Sequence, residues 1–209
     1  MPTALITGAG RGLGKELASQ YEADGWRVIG TTRREFDVTD FRRIKSFAAG
    51  LQGVPIDVLI CNGGISGKRG TSIGSFDYAS WEEVLRVNVL GAAAVAEAFA
   101  DNVAASEHKV IAFMSSRLGS IAETSGQTLP YSTSKAALNL LAKGLSVVLE
   151  QKQIVVLALH PGWVRTDMGG AGAPIAPEAS ARGLRKVIAG SKKEDTGKFL
   201  TYEGVPIPW

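Results

Sequence analysis

The sequence predicts an α/β fold in which one doubly wound parallel sheet is covered by helices on both faces. Two observations carry this. Short β-branched and aliphatic runs alternate with longer segments of helical periodicity, and several runs lack a polar face, so both of their sides must be buried. A glycine-rich turn, Thr7-Gly8-Ala9-Gly10-Arg11-Gly12-Leu13-Gly14, joins the first run directly to the first helical segment.

In chain order, strands are expected at Ala4–Thr7, Arg27–Thr32, Val58–Cys61, Val110–Ser115, Ile154–His160 and Phe199–Thr201. Helices are expected at Leu13–Asp24, Trp81–Asn102, Ser132–Gln151 and Pro177–Ala189, which makes each crossover right-handed. Between Thr32 and a helix beginning around Thr39 there is no room for both a crossover helix and a full strand. Glu35-Phe36-Asp37-Val38 is read as a stub of that strand, which brings the expected sheet to about seven strands, one of them shortened. Gly169-Gly170-Ala171-Gly172-Ala173-Pro174 reads either as a mobile loop between a strand and a helix or as a quiet connector. The 209 residues are expected to form a single domain, 1–209, because that length closes one continuous core.

Composition narrows the function. The 23 basic and 20 acidic residues are interspersed, so the formal charge of +3 gives no basic stripe for nucleic acid. One cysteine, Cys61, excludes an internal disulfide, and with two histidines it makes no usual zinc site. No export signal and no long uninterrupted apolar run is read, so no membrane span and a cytoplasmic location are expected.

The glycine turn lets backbone approach a pyrophosphate, whose charge meets free N–H groups and the positive end of a helix dipole. Its position between first strand and first helix is that of a Rossmann-type dinucleotide site, with Gly8, Arg11, Gly12, Leu13 and Gly14 as cofactor residues. Where an acid would take the ribose 2′-hydroxyl of NAD, the second strand ends in Thr31-Thr32-Arg33-Arg34. Guanidinium suits a 2′-phosphate, and Arg11 adds a second positive charge, so NADP(H) is preferred, with NAD(H) as the alternative. Glu35 is the residue that opposes this preference.

Tyr131-Ser132-Thr133-Ser134-Lys135 opens a helix introduced by Pro130, and residues four apart share a helical face. A phenol is a weak acid at neutral pH, and an adjacent ammonium with a cationic nicotinamide is expected to lower its pKa. With the glycine turn, Asn88 in Arg86-Val87-Asn88-Val89, Ser115-Ser116 and His160-Pro161-Gly162, the chain resembles the short-chain dehydrogenase/reductase family over nearly its whole length. Ser134 to Asn139, His160 to Met168 and Ile207-Pro208-Trp209 look like its C-factor and sniffer-type carbonyl reductase branch.

The resemblance implies roles. Ser116 would hold the substrate oxygen, with Ser115 as the alternative; alternation along the strand and the position of Gly119 favour Ser116. Tyr131 would pass the proton, Lys135 would hold ribose hydroxyls and tune Tyr131, and Asn88 would sit at a helix kink whose main chain anchors a relay water. Asp37 and Val38 would lie by the adenine, Asn62, Gly63 and Gly64 by adenine and ribose, and Pro161, Gly162, Val164 and Thr166 by the nicotinamide. Substrate contacts would come from Ser116, Leu118, Gln127, Tyr131, Trp163 and Met168. Cys61 stands where the family has an asparagine, and is read as a structural apolar residue. The implied activity is NADP(H)-dependent, reversible reduction of a small aldehyde or ketone, in an open pocket because the segment after Thr166 is short. A dinucleotide-responsive signalling protein and a non-redox lyase or epimerase of the same fold are the rivals. A homodimer or homotetramer through the two long central helices is expected.

Overall fold

The computed structural model describes residues 1–68 and 73–209. Its elements are β1 (Thr3–Thr7), α1 (Gly12–Ala23), β2 (Arg27–Thr31), α2 (Phe41–Ala49), β3 (Val58–Cys61), α3 (Tyr78–Leu85), α4 (Ala92–Ala104), β4 (Val110–Met114), α5 (Leu129–Val148), β5 (Val155–His160), α6 (Pro177–Gly190) and β6 (Lys198–Thr201). The strands form one parallel sheet in the order β2-β1-β3-β4-β5-β6. The order reverses between β1 and β3, and a crevice opens beyond their carboxyl ends, where dinucleotides bind in sheets of this kind.

Alternation along the strands feeds two cores. Leu5, Leu59, Ile111, Phe113, Val156 and Ala158 pack with α2, α4 and α5 on one face. Ala4, Ile60, Ala112, Met114, Leu157 and Leu159 pack with α1 and α6 on the other. A strand buried on both sides has no place for a polar face, hence the continuous apolar runs.

The described residues hold six strands, not about seven. Glu35–Val38 is a series of turns, because side chains there take the backbone bonds that a strand would use. The Glu35 carboxylate accepts from Thr32 N–H and Thr32 Oγ1 at 2.7 Å each, and Phe36 N–H donates to Thr32 O. Phe36 turns into the core against Phe47, and Asp37 Oδ1 accepts from Thr39 N–H at 2.9 Å. The chain therefore passes straight from the edge strand β2 to α2, which Asp40 caps by accepting from Arg43 N–H.

The helix expected at Trp81–Asn102 runs from Tyr78 to Ala104 and contains a π-helical stretch, Arg86–Gly91. Asp77 caps its start, accepting from Ser80 N–H at 2.9 Å. The helix expected from Ser132 begins at Leu129, and Thr128 before it holds a φ of +48°, a left-handed conformation rare for a β-branched residue. Among the described residues no helix is long and apolar enough to cross a membrane, and no cluster of three metal-ligating side chains occurs.

Candidate active site

One cleft of about 1410 Å³ runs across the carboxyl ends of the strands. Its floor at one end is the glycine turn. Arg11 precedes α1 in an extended conformation and no side chain caps the helix, so the first N–H groups of α1 are left for a ligand. Gly8, Gly12, Leu13 and Gly14 line this end with Arg11. Asn62 ties the turn to the segment after β3: its Nδ2 donates to Thr7 O at 3.0 Å, while Asn62 N–H and Gly63 N–H both donate to Thr7 Oγ1. Gly63, Gly64, Asp37 and Val38 continue the wall.

Both cleft arginines face carboxylates. Arg33 Nε lies 3.4 Å from Asp37 Oδ2, and Arg11 Nη1 lies 3.0 Å from Asp167 Oδ2, across the cleft on the segment after β5. All but Asp37 are largely solvent-exposed, so these pairs are weak enough to yield to a phosphate. Glu35 is engaged by Thr32, whose hydroxyl and N–H hold its carboxyl below the usual range.

At the other end Ser115, Ser116, Tyr131 and Lys135 meet. Tyr131 lies in the first turn of α5 and is hydrogen-bonded to Ser116. Ser115 Oγ donates instead to Asn139 Oδ1 at 2.5 Å, which leaves Ser116 as the serine beside the phenol. Lys135 Nζ sits 5.5 Å from the centre of the Tyr131 ring and donates to Met114 O at 2.7 Å. Burial pushes the Tyr131 phenol up to about 12, against the opposing hydrogen bond from Ser116, and pushes Lys135 down to about 8. In the protein alone burial therefore outweighs the Ser116 hydrogen bond, and the phenol lies above its ordinary value where Lys135 and a cationic nicotinamide together were expected to lower it.

Asn88 lies under this end rather than on its wall. Its carboxamide closes a pair of 2.9 Å bonds with Ile65 N–H and Ile65 O, and donates to Ser134 Oγ. Its side chain is buried within the π-helical stretch, the kink expected of it. Pro161, Gly162, Val164, Thr166 and Met168 line the cleft beyond β5. Leu118, Gln127 and Trp163 do not: Gln127 is exposed, and Trp163 Nε1 donates to Gly169 O at 2.8 Å. The glycine-rich segment 169–174 is tied to the residues before it, with Arg165 Nε donating to Ala173 O and Gly170 N–H to Thr166 O, which favours the connector over the mobile loop.

Sequence reasoning missed several cleft residues, among them Lys68, Asp77, Ser80, Glu83, His160 and Asp167. Their approach to the glycine turn depends on tertiary packing. Only His160, next to Pro161-Gly162 at a strand end, carried a local signal.

A family model described as short chain dehydrogenase matches residues 2–174. The chain is 38% identical to C-signal of Myxococcus xanthus over 167 residues, which covers 79% of this chain and 100% of that protein. The structure of NADPH-bound carbonyl reductase from chicken fatty liver matches with a TM-score of 0.90 at 29% identity, over 100% of this chain and 99% of that one. Carbonyl reductase Sniffer of D. melanogaster matches with a TM-score of 0.87 at 27% identity, over the whole of both chains.

Proposed function

Because this chain belongs to the short-chain dehydrogenase family, we propose that it is an NADP(H)-dependent reductase of small aldehydes and ketones, reversible, with Tyr131 as general acid and base. The observation that carries this reading is the convergence of Ser116, Tyr131 and Lys135 at one end of a cleft whose other end is an uncapped helix N-terminus flanked by arginines. The fit to a phosphorylated dinucleotide rests on those free N–H groups, on Arg11 and Arg33, and on the withdrawal of Glu35 into the Thr32 turn.

The turn from Arg11 to Gly14 would hold the pyrophosphate, Arg33 with Arg11 the 2′-phosphate, and Asp37, Val38 and Asn62 to Gly64 the adenosine. Lys135 would take ribose hydroxyls, and Pro161, Gly162, Val164 and Thr166 the carboxamide end. When bound, the dinucleotide supplies the hydride that reduces the carbonyl carbon. Ser116 Oγ holds the carbonyl oxygen, and Tyr131 gives its phenolic proton to that oxygen as charge develops there. Asn88 ties Ile65 to Ser134 through its side chain, and its main chain, in the π-helical stretch, would hold a relay water.

The test is a titration of the protein with NADPH and with NADH, followed by oxidation of each with a panel of aldehydes and ketones. NADPH is expected to bind more tightly and to be consumed. Arg33→Ala is expected to weaken NADPH about tenfold and to leave NADH within about twofold, since one charge-assisted contact to the extra phosphate is lost. Equal loss for both dinucleotides would remove Arg33 from the 2′-phosphate.

The relative named C-signal favours a second reading, in which the bound dinucleotide sets a signalling conformation. Tight NADPH binding with no turnover of any carbonyl would favour it. Assembly is part of the first reading: Leu90, Leu140 and Val147 are exposed on the helices expected to pair copies. Light scattering is expected to give two or four times 22.0 kDa, and a single-chain mass would end that part of it.

A further inference from the structure

His160 is the last residue of β5, in phase with Val156 and Ala158, so its ring lies on the α5 side of the sheet. There β5 pairs with β4: Leu159 stands opposite Met114, and Ser115 N–H donates to Leu159 O at 2.7 Å. Extending that register by one residue sets His160 opposite Ser115, about 4.8 Å away in the spacing of a parallel sheet, with Ser116 next along the chain, and His160 lines the cleft at its catalytic end.

The ring is not satisfied by the protein. Nδ1 is sealed from solvent and has no hydrogen-bond partner among the described residues. A packing residue at this strand end would not need nitrogen, and an apolar side chain of similar size would fill the space without an orphaned polar atom. With Nδ1 sealed, the ring meets the cleft along its other edge, which carries Nε2. A buried lone pair without a partner is tolerated better than a buried N–H, so the favoured tautomer keeps Nδ1 bare and puts the proton on Nε2. Burial and the nearby Arg117 hold the imidazole down to about 4, which keeps it neutral and a single donor.

We propose that His160 is a substrate-recognition residue, whose Nε2–H takes a second acceptor oxygen on the substrate while Ser116 and Tyr131 hold the reacting one. This rests on the reductase reading above. The strand ends that carry the two donors lie about one sheet spacing apart, so we place the second oxygen one or two carbons from the carbonyl. The class is a carbonyl compound with an adjacent ester, ether or hydroxyl oxygen, in preference to a plain ketone of equal length.

The test compares kcat/KM for ethyl 3-oxobutanoate and for 2-heptanone, with NADPH, in wild type, His160→Leu and His160→Gln. The wild type is expected to favour the keto ester. His160→Leu is expected to lower the keto ester to ketone ratio about tenfold, mainly through KM, the size expected for one buried hydrogen bond left unmade. His160→Gln, whose Nε2 stands close to that of histidine, is expected to restore much of the ratio, and it keeps the test open if the leucine variant folds poorly. A wild-type ratio no greater than one, a ratio unmoved by His160→Leu, or an equal loss for both substrates overturns the proposal. Failure of the wild type to reduce either compound or any other carbonyl would strike the reductase reading itself, a separate result.

Discussion

Tyr131→Phe is expected to retain NADPH binding and to lower kcat about 10²- to 10⁴-fold, the range general acid catalysis supplies. The substitution removes one oxygen. It leaves the ring in the first turn of α5 and leaves Lys135 with its bond to Met114 O. The phenol at about 12 in the protein alone stays protonated through the neutral range, the form that can give a proton to a developing alkoxide. Lys135, at about 8, has the opposite tendency and sheds its charge within reach of the assay.

A pH dependence follows from that pair. Because kcat/KM for NADPH reports on the free protein, it is expected to be level on the acid side of neutrality and to fall as pH rises through about 8, where Lys135 loses its proton. The same depressed value has a sign in folding. Between about 8 and the ordinary 10.5 the unfolded chain binds a proton at Lys135 that the folded chain does not, so this group makes stability rise with pH across that window. A pH profile that falls only above about 10, or Tyr131→Phe turning over at the wild-type rate, would mean that these two groups do not carry the proton.

Most of the sheet was legible because its strands are apolar on both faces, a pattern that needs no partner to be read. The exception, Glu35–Val38, shows the limit of such reading. Phe36 and Val38 alternate with acidic residues as in an edge strand, yet Glu35 and Asp37 bond to Thr32 and Thr39 and turn the chain. Side chains that compete for backbone bonds are visible in a sequence only as residue types, not as geometry. The candidate site followed the same division. The glycine turn and the Tyr131 to Lys135 spacing are local and could be placed on an element boundary. The Arg11 to Asp167 pair spans 156 positions and exists only because β1 and β5 end at the same edge of the sheet. Leu118, Gln127 and Trp163 were assigned from resemblance and do not line the cleft: Leu118 lies in the turn after Ser116, its N–H donating to Ser116 Oγ, Gln127 is exposed, and Trp163 Nε1 donates to Gly169 O.

Gly14→Ala is expected to cut NADPH affinity at least tenfold and to lower the melting temperature by several degrees. A Cβ on Gly14 would lie 2.3 Å from Gly8 O and 2.5 Å from Asn62 Nδ2. The asparagine can shift, but the carbonyl is backbone in the tightest part of the turn, with Gly8 itself at a φ of +70°. Helix α1 and the turn must therefore separate, which moves the N–H groups that face the cleft and breaks the Asn62 bond to Thr7 O. Alanine is a better helix former than glycine by about 1 kcal/mol, whereas forcing a methyl into a filled space costs about 1–3 kcal/mol, so the clash prevails and falls on the ligand site as well. In a chain of this length about 1 kcal/mol moves the midpoint by about 2–4 °C. Gly190 supplies the contrast, since it is exposed at the end of α6 and a Cβ there meets nothing within 4 Å. Gly190→Ala is expected to leave the midpoint unchanged or raise it slightly and to leave the NADPH titration unchanged. If Gly14→Ala behaved like Gly190→Ala in both measurements, the close approach of α1 to the glycine turn would not be what shapes the cofactor end of the cleft.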